Sequence, residues 1–258
     1  MRVSVLGSGS SGGTPMPGPD GWGGCDETNP RNRRRRPSIL VETENTRLLV
    51  DTSPDLREQL LAANVWHIDA ILYTHAHADH VHGIDDVRGL NYYKRGAIDA
   101  YGSQETLAEL KERFAYVFRP YGAVPQFFRP CLTAQVIDGP FRIGDIDIVP
   151  FHQEHGRFPT LGYRFNKFAY STDVKALSEE SFAVLDGVEA WIVDCLSETP
   201  HPTHSHLSQT LEWIDRVAPK HAVLNHLSHR MDYQTLAEKL PPGVEPAYDG
   251  MVFEVADN

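Results

Sequence analysis

Cysteine is scarce in this chain. Three residues in 258, Cys25, Cys131 and Cys195, are too few and too far apart for a disulfide framework, and an odd count agrees with a reducing compartment. Long apolar runs are missing too. No stretch approaches the roughly 20 apolar residues of a membrane span, and the opening MRVSVLGSGSSGG lacks the apolar core of a signal peptide, so a cytoplasmic protein without membrane association is expected. Positive charge is in deficit. Lys plus Arg is 24 against 35 for Asp plus Glu, a net charge of −11, which disfavours an extended nucleic acid as partner. No short-period repeat and no linker interrupts the chain. What is present is ordinary globular composition, 41% hydrophobic and 23% charged, enough for a large core in one domain spanning 1–258.

Short β-rich runs recur: RVSVL (2–6), SILVE (38–42), RLLVD (47–51), DAILYT (69–74), IDIVPF (146–151), GYRF (162–165), EAWIVD (189–194) and HAVLN (221–225). Helical patterns lie at 54–63, 103–118, 207–218 and 233–240. Strands in the first half come mostly in pairs, which does not fit a simple alternation of strand and helix. The expected architecture is therefore α/β with two packed mixed sheets and helices outside, a four-layer αββα sandwich.

The run THAHADH (74–80) places His75, His77, Asp79 and His80 directly after the apolar AILY, hence in a loop at the end of a strand. Imidazole with carboxylate suits zinc, manganese or iron, whereas calcium and magnesium favour oxygen alone. Consecutive ligands on one tight loop cannot all reach a single ion, so a dinuclear centre with further ligands downstream is expected. Candidates stand after other strands: His152 and His155 in FHQEHG, Asp173 in YSTDV, His226 and His229 in VLNHLSH.

This order, H-x-H-x-D-H followed by a lone histidine, an aspartate and a late histidine, resembles the metallo-β-lactamase superfamily over the whole chain. The resemblance implies the αββα fold, with His75, His77 and His155 on one ion, Asp79, His80 and His226 on a second, and Asp173 bridging. Asp51, closing LLVDTS, would support the metal loop from behind. The pattern needs neither His152 nor His82. Within the superfamily, GSGSSGGTP (7–15), the segment HPTHSHLSQTLEWIDRVAPKHAVLNHLSH (201–229) and AYDGM (247–251) are similar to the cyclic phosphodiesterase branch of the carbon-phosphorus lyase pathway.

That branch implies hydrolysis of a small cyclic phosphodiester or nucleotide-like substrate. A hydroxide bridging two divalent ions, zinc or manganese, would attack phosphorus with Asp79 at the catalytic centre, and a histidine 22 residues before the last ligand, His204, would act as general acid. His206 competes for that role, and His206 and His229 are candidate substrate contacts. The run RNRRRR (31–36) is read mainly as a solvated loop, from which one or two guanidiniums could reach the phosphate. The branch also carries a structural zinc on a C-x-C-x-x-C cluster. Here CDETNP (25–30) has Glu27 and Pro30 in place of two cysteines, so two ions per chain are expected and Cys25 should be a small buried side chain. A tRNase Z-like nuclease, a cofactor-biosynthesis protein of the pyrroloquinoline quinone type and a non-catalytic metal-binding regulator are the alternatives, and a homodimer is left open.

Overall fold

The computed structural model describes residues 1–120 and 129–256. One sheet contains β1 (Arg2–Gly7), β2 (Ser38–Glu42), β3 (Arg47–Val50), β4 (Ala70–Leu72), β5 (Ile98–Gly102) and β6 (Leu132–Val136). The other contains β7 (Phe141–Ile143), β8 (Ile146–His155), β9 (Phe158–Phe165), β10 (Phe168–Ser171), β11 (Ala176–Leu177), β12 (Ala190–Asp194), β13 (His221–Asn225) and β14 (Val244–Pro246), and β15 (Val252–Glu254) returns to pair with β1. Both sheets are mixed. The first runs antiparallel from β15 through β1 and β2 to β3, then parallel from β3 to β6. The second is antiparallel through β8, β9 and β10, then parallel from β10 through β12 and β13 to β14.

The apolar runs become strands buried on both faces, and their period of two sorts the side chains between layers. Ile39, Val41, Leu48, Val50, Ala70 and Leu72 point inward and meet Ile148, Tyr163, Phe168 and Ile192 of the opposite sheet in one hydrophobic cluster. Their neighbours Leu40, Leu49 and Ile71 point outward, under the helices α1 (Leu56–Ala62), α3 (Val87–Lys94) and α4 (Gln104–Arg113). Between α1 and α3 the chain makes the one-turn helix α2 (Ala78–Val81). On the far side Trp191, Val193, Ala222 and Leu224 face α5 (Glu179–Leu185), α6 (Leu207–Val217) and α7 (Tyr233–Ala237). The result is the four-layer αββα sandwich.

The arginine run differs from its reading as a mainly solvated loop. Arg31 packs its guanidinium on the rings of Tyr233 and Tyr248, at 4.7 and 4.6 Å from their centroids. Arg33 lies over Trp22, and Arg36 pairs with Asp55 at 3.0 Å. Arg34 is 2% exposed. Its guanidinium donates to the carbonyls of Ser228 (3.1 Å) and Met231 (2.6 Å) and to Asn32 Oδ1 (3.2 Å), and it reaches Cys25 Sγ at 3.8 Å. Asn32 in turn donates to Asp232 at 2.6 Å. Planar, forked donors satisfy several acceptors that a short apolar loop cannot cover itself. Arg34 thus fastens the segment 25–34 to the loop that follows His226. Arg34→Met should strand these buried acceptors and lower stability by about 3 kcal/mol or more in chemical denaturation; a change below about 1 kcal/mol would show the hub to be dispensable.

Candidate metal centre

Parallel strands deliver their functional groups at their C-terminal ends, and here several ends converge in the space between the sheets. β3 is followed by Asp51, β4 by the His75–His80 segment, β10 by Asp173 and β13 by His226; β8 closes on His155 and β12 on Asp194. Asp51, Asp173 and His226 have φ of 63°, 52° and 58°. This left-handed conformation costs a non-glycine residue about 1–2 kcal/mol, and it recurs at three converging strand ends, where it turns each side chain into the centre.

Alternation along β8 separates the two histidines of FHQEHG: Phe151, Gln153 and His155 are buried, whereas His152 and Glu154 are exposed. In the metal loop, His75 and His77 lie in irregular backbone as expected. Asp79 and His80, by contrast, fall in the first turns of α2, not in the loop, so a helical turn brings His80 beneath the loop. Arg113 of α4 donates to the Ala76 carbonyl and, at 2.8 Å, to His82 Nε2, holding the loop from outside.

Around Asp173 the side chains gather in two groups, and Asp194, His204 and His226 form a third beside them. His75, His77, His155 and Asp173 offer ligand atoms all within 4.8 Å of one another, and so do Asp79, His80, Asp173 and His226. Asp173 belongs to both. Its Oδ1 lies 3.8 Å from His75 Nε2 and 3.5 Å from His155 Nε2, while its Oδ2 lies 2.9 Å from His80 Nε2 and 3.3 Å from His226 Nε2. Asp79 Oδ2 is 3.4 Å from His80 Nε2 and 3.5 Å from His226 Nε2.

The imidazoles are oriented from behind. His80 Nδ1–H donates to Asp51 Oδ2 at 2.7 Å, and Asp51 also accepts from Thr74 N (2.9 Å) and Thr74 Oγ1 (2.8 Å). His155 Nδ1–H donates to the Thr203 carbonyl at 2.7 Å. Each such bond fixes the ring and turns Nε2 towards the centre, where a metal ion would take its lone pair. His75, His80 and His226 each bury an Nε2 that makes no hydrogen bond. Buried polar atoms are paired in roughly nine cases in ten or more, so this concentration of orphaned nitrogens beside carboxylates fits divalent ions with nitrogen and oxygen ligands.

The cluster is balanced by its own charges: burial alone would lower His80 and His226, but Asp173 and Asp79 outweigh it and hold His80 well above the ordinary histidine value and His226 at about 9. Burial alone would raise the Asp173 carboxyl, but the imidazoles of His226, His80 and His75 outweigh it and hold its pKa well below the usual carboxylate range. Burial, reinforced by the charge at His80, drives His75 well below the ordinary histidine value, favouring the neutral form that binds metal.

His204, 8% exposed, joins from the side. Its Nε2 is 3.8 Å from Asp173 Oδ1, and its ring stacks on His226 with centroids 4.8 Å apart. Its Nδ1–H donates to Asp194 Oδ2 at 3.0 Å. The sequence reading missed Asp194, a fully buried carboxylate that also accepts from Val174 N at 3.1 Å. The signal was there: Asp194 closes EAWIVD as Asp51 closes RLLVD. His206 stands at the N-cap position of α6, where its side chain makes no capping hydrogen bond and its Nδ1 is buried and unpaired, and neither it nor His229 belongs to a ligand group among the described residues. His229 packs against Gly23, and no ligand group among the described residues includes Cys25, whose thiol pKa is pushed up by burial.

The two ligand groups draw on both sheets, so bound ions should stabilise the fold. Removing them by chelation from metal-loaded protein is expected to lower the thermal midpoint by about 5–10 °C, the effect of a ligand present at roughly a hundred times its dissociation constant. An unchanged midpoint in calorimetry would mean that the cluster holds no ion.

The family model described as a beta-lactamase superfamily domain matches residues 46–227. A crystal structure of a diphosphatase from the PhnP family superposes with a TM-score of 0.88 at 33% identity, over 99% of this chain and 98% of that one. Zinc-bound PqqB from Methylobacterium extorquens shares the fold, with a TM-score of 0.79 at 18% identity over 99% of this chain and 100% of its own. An octanoyltransferase of Porphyromonas gingivalis is 35% identical over 97% of this chain but only 51% of its own length. The chain thus spans about half the length of that relative, and the activity for which the relative is named belongs to the longer protein. No helix among the described residues is long and apolar enough to cross a membrane.

Proposed function

The chain belongs to the beta-lactamase superfamily and is a metal-dependent hydrolase of it, and from that premise we propose that it is a phosphodiesterase acting on a small phosphoester with two divalent ions, zinc or manganese. His75, His77 and His155 would hold one ion, Asp79, His80 and His226 the other, with Asp173 shared. Bound there, the ions would lower the pKa of water towards neutrality and offset charge on the phosphoryl oxygens.

The observation that carries the reading is His204. It faces Asp173 yet belongs to neither of the two groups that share Asp173, and Asp194 holds its far nitrogen. Displacement at phosphorus leaves an alkoxide that needs a proton, and His204 Nε2 is the group poised to give one. Asp194 holds the ring through Nδ1 and keeps Nε2 aimed inward, as a carboxylate orients a catalytic histidine elsewhere.

Purified protein loaded with manganese or zinc should hydrolyse bis-p-nitrophenyl phosphate, and metal analysis should give two ions per chain in both the wild type and Cys25→Ser. Absence of turnover with either metal would overturn the proposal, and a third ion lost in Cys25→Ser would overturn the two-ion count. The similarity to a diphosphatase favours one second reading, a phosphoric anhydride as substrate. Release of phosphate monoesters from a nucleoside diphosphate derivative, faster than from any diester, would select it.

A further inference from the structure

Phe158 is 61% exposed near the tip of the β8–β9 hairpin, between the exposed Arg157 and Pro159. A single exposed phenyl ring is common and by itself says nothing. Its position is what distinguishes it. The ring sits edge-on to His77 with centroids 5.5 Å apart at 76°, at the mouth of the metal cluster.

The surroundings fix that position. Phe158 opens β9 directly opposite His155 in the β8–β9 register. Leu161 N donates to the Thr74 carbonyl at 3.0 Å, tying β9 to the metal loop. At the hairpin tip Gly156 has φ +63°, and a Cβ there would come within 2.7 Å of Thr203 Cγ2. Thr203 is the residue whose carbonyl orients His155, one position before His204. The tip is therefore clamped between the loop carrying His75 and His77 and the loop carrying His204, and most of the ring is left uncovered beside the place where a phosphoryl group would react. Arg157, also exposed, adds a guanidinium to the same tip.

We propose that Phe158 is the stacking surface for a flat, unsaturated group on the non-leaving side of the substrate, which makes a nucleotide ester the substrate class. This rests on the phosphodiesterase reading above. Bases stack on aromatic rings without a need for a particular hydrogen-bond pattern, and truncating such a platform typically costs about tenfold in binding.

Two esters with the same leaving group isolate the effect: thymidine 5′-(p-nitrophenyl phosphate) and methyl p-nitrophenyl phosphate. The wild type should prefer the thymidine ester in kcat/KM. Phe158→Ala should cut that preference about tenfold and weaken calorimetric binding of thymidine 5′-monophosphate by a similar factor. Phe158→Trp should retain both. Turnover of both esters with a preference unmoved by Phe158→Ala would overturn the stacking role alone, and so would unchanged nucleotide binding. Turnover of neither ester by the metal-loaded wild type would overturn the phosphodiesterase reading and this inference with it.

Discussion

Asp173→Asn is expected to yield a folded protein that has lost at least about 10³-fold in phosphodiester hydrolysis, a loss on the scale of removing a single charge-stabilising group from an active site, and that no longer retains two ions. Asparagine is nearly isosteric and tolerates the left-handed backbone that Asp173 adopts at φ 52°, so the strand end should keep its shape. What changes is charge and reach. Its Oδ1 now faces His75, His155 and His204, and its Oδ2 faces His80 and His226. An amide offers one weakly basic oxygen and an NH2 group that points donors at unprotonated nitrogens. Metal analysis, circular dichroism and kcat/KM on bis-p-nitrophenyl phosphate together check the outcome. Two retained ions with activity within tenfold of wild type would remove Asp173 from the centre. Asp79→Ala and His77→Ala should likewise lose metal and activity without unfolding, each disturbing only one group.

His204→Ala should discriminate between leaving groups. An alkoxide leaves poorly unless protonated, and a positioned acid contributes about 10²–10⁴-fold, so alkyl diesters should suffer a loss in that range. Esters of p-nitrophenol, whose anion is already stable, should lose less than about tenfold. Asp194→Asn should show the same selectivity to a smaller degree, because it turns His204 without removing it. Equal losses on both ester types would reassign His204 to binding or structure. A selective loss in His206→Ala instead would exchange the two histidines, against the placement of His206 at the start of α6.

Much of this was legible in the sequence because the physics is local. SILVE and HAVLN became strands with the expected bounds, since apolar side chains on both faces can be satisfied only in the middle of a sandwich. The spacing of THAHADH and its place after a strand pointed to the metal cluster before any distance was known. What escaped depended on tertiary context. IDAYG (98–102) and LTAQV (132–136) are edge-side strands of mixed polarity, held by parallel pairing to β4 and to each other, which no short-range pattern reveals. The pattern at 103–118 ran past the observed end of α4 at Arg113, as helix boundaries commonly do. Asp194 reads as an ordinary strand terminator until His204 folds back onto it. Arg34 reads as one of a charged series, although burial singles it out from its neighbours. For the two strands and for Arg34 the missing information is a contact between residues far apart in the chain.

The order of the ligands along the chain sets the moment at which the centre can exist. The first histidines lie at 75–80, the next contributions at 155 and 173, and the last at 226. While the protein is being synthesised, the early loop is available long before its partners and can offer a passing ion only a partial set of ligands. The shared carboxylate of Asp173 arrives later, and the second group closes last. An ion offered the early loop alone would therefore be weakly held and exchangeable, and a centre of this kind could be completed only once residue 226 has been made.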